Sequence, residues 1–312
     1  MEGILIIDKP EGLTSHDVVA RSRRILRTKR IGHTGTLDPF ATGVMVVLVG
    51  RATRLAQFLD KDEKEYLALV RFGFETDTGD RTGAAKEAEP DDDEPEISKE
   101  VVDAALPVFR GEILQTPPMY SAKKIEGKKL YELARKGLEI ERKPVPVKIH
   151  ELETIEPTAR FTGSDAVTEN RKPKTEDIAL RVVCSAGTYI RVLAEEIGRK
   201  IGTRAHLAEL RRTRAGKFAI ENALTLEELE RVAAAGRAED YLIPMNEAVS
   251  HLAEIALSAE DAARVKNGVK LRKESENSKS GDFLRLTDDG VLLAIGIYDA
   301  AEKTVRPKLV LV

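Results

Sequence analysis

An acidic residue in a glycine-rich segment is the first feature of this sequence that could carry chemistry. The segment Gly32–Gly43 holds three glycines and one proline in twelve residues, which predicts irregular backbone that can approach a ligand closely. Asp38 directly precedes Pro39, so its backbone is restricted to the extended region and the following φ is fixed. A carboxylate held by stiff main chain suits a nucleophile or a base. From this segment alone, Asp38 could equally be a turn aspartate and His33 a loop histidine satisfied by backbone.

Little else in the chain indicates another kind of catalysis. The single Cys184 and five scattered histidines have no zinc-ligand spacing. The glycine-rich phosphate-binding signatures and the zinc deaminase signature are absent. We therefore predict no metal and no cofactor. A retaining glycosidase would need a second carboxylate beside Asp38, and we find no other acid placed to pair with it.

The elements that must hold this segment are short strands and helices. Alternating or continuous apolar runs predict strands, and a helix is expected to begin after a Thr14 or Ser15 cap and to end near Leu26. A further helix is expected to start near Thr53. The predicted strands are Ile4–Ile7, Val44–Val49 and Tyr66–Phe72, with Phe283–Leu286, Val291–Tyr298 and Lys308–Val312 near the end.

This pattern predicts an α+β protein with a separate β-rich tail. A break at Ile243-Pro244, after a helix predicted over 226–235, favours a boundary near 246–253. We expect domains at 1–248 and 249–312. The polar stretches 87–96 and 156–177 have little to bury and are predicted to be surface loops.

Length and composition set the general class of the protein. The chain has 312 residues, of which 42% are hydrophobic and 33% charged, as is typical of a globular protein of about two domains. No apolar run approaches the roughly 20 residues that a membrane span needs. The N-terminus lacks the features of a signal peptide. The expected location is the cytoplasm, without membrane contact.

The charge is distributed in blocks, although the net charge is only −3. Residues 75–103 contain twelve acids and three bases, whereas 110–148 contain ten bases and five acids, and 189–217 eight bases and three acids. Any one block could be a solvated helix face. Together they favour a groove for a polyanion, since a surface potential depends on nearby charges rather than on net charge.

The glycine-rich segment resembles the catalytic loop of the TruB family of tRNA pseudouridine synthases. It matches every fixed position of that family's G-H-x-G-x-L-D-P-x-A-x-G signature. Further segments are similar to the family's other motifs and occur in the same order over about residues 1–245. These segments are Leu5–Ser15, Lys64–Tyr66, Thr76–Asp80, Gln115–Arg135, Cys184–Arg191 and Ala205–Thr213.

The resemblance implies a fold and a reaction. The fold would be a mixed, largely antiparallel pseudouridine synthase sheet with flanking helices and a thumb insertion over about 110–148. A small C-terminal β-barrel-like PUA domain would follow it and bind RNA. The reaction would isomerise uridine to pseudouridine at position 55 in the T loop of tRNA, with no metal, cofactor or obligate protein partner.

The resemblance also assigns roles to site residues. Asp38 would be the nucleophile, and Arg191 would keep its pKa low. Tyr66 would lie against the target base, its hydroxyl a proton acceptor at C5, and Tyr189 and Leu210 would complete the pocket. His33 would fill or support the stack that base flipping disrupts. By periodicity alone, Tyr189 and Leu210 would be core residues, and Tyr66 at the start of a strand would pack in the core or at a sheet edge.

RNA affinity is expected to come mainly from phosphate contacts. We predict that the thumb and the stretch 199–214 supply them, and six such contacts would give a salt slope of about −5. Two other functions stay open. The chain could be a tRNA-binding chaperone without catalysis, or a guide-RNA-dependent synthase that needs protein partners.

Overall fold

The computed structural model describes most of the chain. The described residues are 1–60, 62–86, 95–121, 124–125, 128–134, 137–138, 140–156, 176–275 and 277–312. Most of the two predicted surface loops, and several residues of the predicted thumb, lie outside this description. The regular elements are therefore given for the described residues only.

The helices are mostly short, and they are separated by long stretches of strand. Four 3₁₀ turns, at Gly50–Leu55, Leu106–Phe109, Ile220–Asn222 and Ala238–Tyr241, connect some of them. The α-helices are α1 Ser15–Ile25, α2 Ala56–Leu59, α3 Lys99–Ala105, α4 Leu130–Ala134, α5 Ile190–Ile201, α6 Leu226–Ala234, α7 Met245–Ala248 and α8 Ala259–Lys266. None of these helices in the described residues has the length and apolar character required to span a bilayer.

The strands account for most of the core. In chain order they are β1 Gly3–Lys9, β2 Ile31–Thr34, β3 Thr42–Val49, β4 Lys64–Phe72, β5 Gly111–Gln115, β6 Lys124–Ile125, β7 Lys128–Lys129, β8 Val145–Ile155, β9 Asp177–Cys184, β10 Ala205–Ala215, β11 Phe218–Ala219, β12 Ala253–Ala256, β13 Leu271–Arg272, β14 Phe283–Asp288, β15 Val291–Asp299 and β16 Thr304–Val310.

One large mixed sheet carries the catalytic-loop segment. Its strand order is β1-β3-β10-β4-β9-β8-β5, with β2 paired to β3 and β11 to β10. Every pairing is antiparallel except that between β3 and β10. The prediction of a mixed, largely antiparallel α+β sheet is confirmed. Because the start of β3 pairs with Arg211 and Arg212, the loop before β3 lies beside the arginine-rich end of β10.

The glycine-rich segment is more ordered than the sequence predicts. Its first residues pair with β3 as strand β2, and its last two open β3, so only 35–41 form a loop. His33 therefore lies on a strand, opposite Val47. At Gly43, φ is +102° and a Cβ would lie 2.1 Å from the Arg212 carbonyl oxygen. Only glycine fits this close approach of two backbones.

Helix α1 begins as predicted. The Thr14 hydroxyl accepts a hydrogen bond from the Asp17 amide, and the Asp17 carboxylate accepts one from the Thr14 amide, which is a complete capping box. Val18 and Val19 are buried on its inner face. The other helix that packs against it, α6, has the same kind of cap at Thr225.

The last sixty residues form their own sheet but share a core with the first strands. This five-stranded sheet has the order β12-β14-β15-β16-β13 and includes no strand from the large sheet. Leu292, Ile295 and Leu309 nevertheless belong to one buried cluster with Ile4 and Val46. The predicted strand at the chain end begins earlier than expected, at Thr304, because the Val305 and Arg306 backbones continue the pairing with β15.

Candidate active site

A cavity of about 280 Å³ opens where the loop before β3 faces α5 and β10. Five of the six site residues predicted from the sequence line it: Asp38, Tyr66, Tyr189, Arg191 and Leu210. These residues come from four separate segments of the chain. The structure therefore brings together groups that lie up to 172 positions apart in the sequence.

Asp38 and Arg191 form the charged wall of this cavity. The Arg191 Nε atom lies 2.9 Å from the Asp38 Oδ2 atom. The Arg191 side chain is only 5% exposed, whereas that of Asp38 is 37% exposed and so can meet a ligand. Arg191 also donates to the carbonyl oxygens of Thr78 at 2.6 Å and Tyr120 at 2.7 Å. The guanidinium thus fixes the carboxylate relative to two further loops.

Asp80 is a second carboxylate at the same guanidinium, and it corrects the expectation that no acid pairs with Asp38. Its Oδ2 atom lies 3.6 Å from Arg191 Nη1, and its side chain is buried. The Thr82 amide and hydroxyl donate to its other oxygen at 2.9 and 2.6 Å. The TruB-like motif at 76–80 contains two acids, and spacing alone did not indicate which one faces the site.

The pKa of Asp38 differs from the expectation. Burial raises the pKa of this carboxyl, and the negative charge of Asp80 adds to the rise. The ion pair with Arg191 lowers the pKa but does not outweigh the burial. The predicted arginine is present, yet the prediction that it keeps the Asp38 pKa low is wrong. Arg191 therefore favours the ionised form of the acid, while burial and Asp80 oppose it.

The turn between β1 and α1 braces the loop that carries Asp38. The fully buried Lys9 ammonium donates to the carbonyl oxygens of Pro10, Leu13 and Pro39. Burial lowers the pKa of Lys9 to about 8. The Ser15 hydroxyl accepts from the Leu37 amide and donates to the Leu37 carbonyl. These bonds hold the residues on both sides of Asp38.

Tyr66 packs against a buried cation that the sequence analysis did not single out. On the sheet, Tyr66 of β4 lies opposite Arg212 of β10, whose side chain is almost fully buried. Arg212 donates to the carbonyl oxygens of Val44 at 2.7 Å and Gly35 at 2.9 Å. Burial raises the pKa of the Tyr66 phenol, and the neighbouring Arg212 opposes this rise. The phenol is therefore protonated near neutral pH.

Lys64 is another cation in the wall of the cavity. It lies two residues before Tyr66, and its ammonium donates to the carbonyl oxygens of Asp60 and Asp62 at 2.7 and 2.5 Å. Burial lowers its pKa. The TruB-like motif at 64–66 contains this lysine, but only the structure shows that it lies beside the cavity.

Tyr189 is positioned by a reciprocal amide clamp. The buried Gln115 side chain accepts from the Tyr189 amide at 2.7 Å and donates to the Tyr189 carbonyl at 3.1 Å. Tyr189 precedes the first residue of α5. The clamp thereby ties the start of this helix, and with it Arg191, to strand β5.

His33 is the predicted site residue that does not line the main cavity. It lines an adjacent cavity of about 310 Å³ that shares Gly35, Thr36 and Asp60 with the main one. Its ring meets that of His16 edge-on, with 5.7 Å between centroids. Burial lowers the His33 pKa, and the buried Nδ1 atom has no hydrogen-bond partner within the described chain. A neutral ring is thus available for packing beside the cavity.

A second cavity of about 560 Å³ lies on the other side of the ion pair. Asp38, Leu37 and Arg191 line both cavities, while His16, Phe40 and Tyr120 line only the second. The Asp38 carboxylate consequently stands on a ridge between two depressions. No group of three or more His, Cys, Asp or Glu side chains in the described segments is arranged to hold a metal ion.

Most arginines of the basic stretch 199–214 have partners within the fold. Arg199 pairs with Glu75 and Glu195, Arg211 with Asp8, and Arg214 with Glu63 and Glu65, while Arg212 is buried. These arginines already have partners within the fold. The prediction that this stretch supplies phosphate contacts stays a prediction, and the carboxylates would compete with phosphate for Arg199, Arg211 and Arg214.

Two family models match adjacent parts of the chain. The TruB family pseudouridylate synthase N-terminal domain matches residues 23–190, and the tRNA pseudouridylate synthase B C-terminal domain matches residues 191–250. Together they cover every strand of the large sheet except β1, and all the residues that line the main cavity.

The similar proteins agree with these models. The chain is 42% identical over 298 residues to tRNA pseudouridine synthase B of Solibacter usitatus, covering 95% of each chain. It is 44% identical to tRNA pseudouridine synthase B of Geobacillus kaustophilus, covering 87% of this chain and 91% of the relative. Among solved structures, a chain of an H/ACA RNP bound to a substrate RNA containing 2′-deoxyuridine superposes with a TM-score of 0.72 at 27% identity. That match covers 99% of this chain and 85% of the other.

Proposed function

Because the chain belongs to the TruB family of pseudouridylate synthases, we propose that it isomerises uridine 55 in the T loop of tRNA to pseudouridine. Asp38 is the nucleophile in this proposal. The observation that carries it is the partly exposed Asp38 carboxylate, paired at 2.9 Å with a buried Arg191 in the wall of a base-sized cavity. The relatives named tRNA pseudouridine synthase B support tRNA as the substrate.

The proposed reaction moves one glycosidic bond without consuming a co-reactant. The bond from uracil N1 to C1′ of the ribose breaks, the base turns, and a bond from C5 to C1′ forms. The proton on C5 is lost, and N1 gains one. Asp38 must be ionised to act as the nucleophile, whether on the base or on the sugar. Arg191 stabilises this anion, and burial keeps the carboxylate weakly solvated and therefore reactive.

The apolar walls of the cavity hold the base in this proposal. Tyr66, Tyr189 and Leu210 surround the space beside Asp38, and flipped bases are commonly stacked on aromatic side chains. The raised pKa of Tyr66 favours this packing role over that of a proton acceptor. If Tyr66 did relay the C5 proton, the acceptor would be the oxygen of the neutral phenol.

His33 is proposed to act outside the pocket. Extracting a uridine from a folded loop costs a few kcal/mol, and a protein side chain can fill the place of the lost base. The neutral His33 ring beside the cavity entrance suits that role, since its lowered pKa leaves a flat, uncharged surface. Its ring partner, His16, extends this surface.

The C-terminal sheet is proposed to be a PUA-like RNA-binding domain covering residues 249–312. A separate sheet from β12 to β16 supports this division, and ten bases against seven acids between 264 and 308 support RNA binding. Photo-crosslinking of the protein to tRNA that contains 4-thiouridine is expected to label peptides of 249–312. Labelling confined to residues 1–248 would contradict an RNA-binding role for this domain.

The catalytic proposal is tested with an Asp38→Asn variant and an unmodified tRNA transcript. Mass spectrometry after chemical labelling is expected to locate one pseudouridine, at position 55, with the unchanged protein. The variant should give at least a 10³-fold lower rate, because a carboxamide is not a nucleophile, and it should retain tRNA binding. Activity without any added protein or guide RNA also separates this proposal from a guide-dependent enzyme.

Three results would contradict parts of the proposal. Full activity of the Asp38→Asn variant would remove Asp38 as the nucleophile, and modification at another uridine would remove the T-loop site. Binding of tRNA without isomerisation by the unchanged protein would favour the chaperone function. A thermal melt of the variant serves as the folding control, since Asp80 still balances Arg191 there.

A further inference from the structure

A cluster of six cations lies at the end of helix α1, away from the candidate active site. Within ten residues it contains Arg21, Arg23, Arg24, Arg27, Lys29 and Arg30, and no acid occurs between Asp17 and Asp38. All six side chains are exposed. We call this surface the α1 patch. Its charge, six positive in ten residues, is denser than that of any basic block recognised in the sequence analysis.

The cations of the α1 patch lack the carboxylate partners seen elsewhere. None of the six forms an ion pair with an acid in the part of the chain that the structure describes. Arg23 donates to the Ile31 carbonyl, and Arg30 to the Thr53 hydroxyl. A shallow depression of about 540 Å³ is lined by Arg23, Arg24, Arg27, Thr28 and Lys29. Such a surface is complementary to anions.

The backbone of Arg27 has a strained conformation, although the residue contributes to the charge of the α1 patch. Arg27 follows the last residues of α1 with φ at +49°, the left-handed conformation that usually belongs to glycine at a helix end. The Thr28 amide bonds to the Arg23 carbonyl at 3.1 Å, as such a cap requires. A non-glycine residue is strained here. Arginine therefore occupies a position where glycine would be less strained.

The helix dipole does not require so many cations. One or two positive side chains in the last turn stabilise the carbonyl end of a helix, and Arg23 and Arg24 lie in that turn. Arg27, Lys29 and Arg30 follow it and continue to the start of β2. The excess charge is thus exposed at the surface and is not needed to stabilise the helix end.

The placement of the α1 patch suits a long RNA. Ser15 at the start of α1 bonds to the loop that carries Asp38, and the helix of eleven residues is about 16 Å long. The patch lies at the opposite end of this helix from the residue that contacts the Asp38 loop. A tRNA whose T loop enters the cavity carries further phosphates along its arms, so its anionic backbone extends beyond the cavity.

We infer that the α1 patch is a second binding surface for the phosphate backbone of the substrate tRNA. This inference rests on the proposed function, because it takes tRNA as the substrate. The patch would bind phosphates without reading sequence and would orient the tRNA before the uridine is flipped. The phosphates could belong to the T arm itself or to the remainder of the tRNA.

The test compares an Arg24→Gln/Lys29→Gln variant with the unchanged protein on two RNAs. One RNA is the full tRNA transcript and the other is a T stem-loop hairpin. At about 0.1 M salt, the variant is expected to bind at least one of them about tenfold more weakly, with a salt slope less negative by 1 to 2. Arg231→Gln/Arg237→Gln is the matched control, because both arginines are exposed but lie beside acids.

Each outcome decides a point. A loss on the full tRNA alone places the contacted phosphates outside the T arm, and a loss on both RNAs places them within it. Equal binding of variant and control on both RNAs overturns the inference. Isomerisation by the unchanged protein is measured in parallel, so failure of the proposed function would be recognised separately.

Arg27→Gly provides a second and independent test. Glycine removes the strain at a positive φ, so the Tm should stay equal or rise, while tRNA affinity should fall about threefold. A structural role for Arg27 predicts a lower Tm instead. A raised Tm with unchanged affinity for both RNAs would also count against the inference, because the strained arginine would then have no use in binding.

Discussion

Two regions of this chain carry a similar excess of positive charge, but they place it differently. In the region from α5 through β10, Arg191, Arg199, Arg211 and Arg214 each contact one or more carboxylates. In the α1 patch, the described structure shows no such pair. Charge counting along the sequence detected the first region and overlooked the second.

The difference teaches that the location of counter-charges matters more than the number of bases. The acids that neutralise the α5–β10 arginines come from distant strands and loops, as with Asp8 for Arg211 and Glu75 for Arg199. These arginines organise the fold around the cavity. A patch that stays unpaired keeps its full attraction for phosphate. Three substitutions, from the largest expected effect to the smallest, test this division.

The largest effect is expected at Arg191, the buried cation of the first region that faces both Asp38 and Asp80. Arg191→Met leaves Asp38 and Asp80 without their shared partner, so the free energy of unfolding should fall by about 3–5 kcal/mol. The isomerisation rate should fall at least 10³-fold. Urea unfolding and single-turnover rates measure both. Arg191→Lys, which keeps the positive charge, is the control. Nearly full activity of the methionine variant would show that the paired arginines do not organise the cavity.

Asp80→Asn is expected to have an intermediate effect, visible in the pH profile. The negative charge of Asp80 raises the pKa of Asp38, and the nucleophile must be ionised. Removing that charge lowers the Asp38 pKa, so the acid limb of kcat/KM should move to lower pH. The plateau should fall by about tenfold, because Arg191 loses a partner. A limb that stays in place or moves to higher pH would show that the two carboxylates do not interact.

The smallest effect is expected at Arg211, whose guanidinium donates to both Asp8 oxygens at 3.0 and 2.6 Å. Arg211→Gln should lower the free energy of unfolding by about 1–2 kcal/mol. Its tRNA affinity and salt slope should stay unchanged, since the pair already neutralises the charge. Arg24→Gln should show the opposite pattern. A reduced salt slope for Arg211→Gln would mean that paired arginines also bind phosphate.

Much of the fold followed from local pattern. The apolar runs of β1, β3 and β4 and the Thr14 cap of α1 were correctly predicted, because continuous burial and capping are encoded by neighbouring residues. Strand β2 was not predicted, because glycine and histidine are not typical strand residues. Its backbone is ordered by pairing with β3. Two long polar stretches contributed no prediction that the described residues can test.

The site residues to which the family motifs assign a role were predicted from the sequence. Asp38 and Arg191 were paired in advance, and the structure places them in contact. Asp80, Arg212 and Lys64 were missed as site residues because their importance depends on which side of a sheet or loop they face. The sign of the Asp38 pKa shift was also missed. It is set by burial and by Asp80, and neither can be read from one segment.

The core shared by the first and last strands has a consequence for synthesis on the ribosome. Leu309 and Leu311 pack in the same cluster as Ile4 and Val46, and the Phe58 and Phe283 rings meet edge-on at 5.1 Å. Part of the cluster that contains β1 and β3 therefore stays incomplete until nearly the whole chain has been translated. Growth at about 5–20 residues per second makes that interval tens of seconds. We expect the incomplete core to favour aggregation or chaperone binding of the nascent chain during that time, although the loop that carries Asp38 lies within the first forty-one residues.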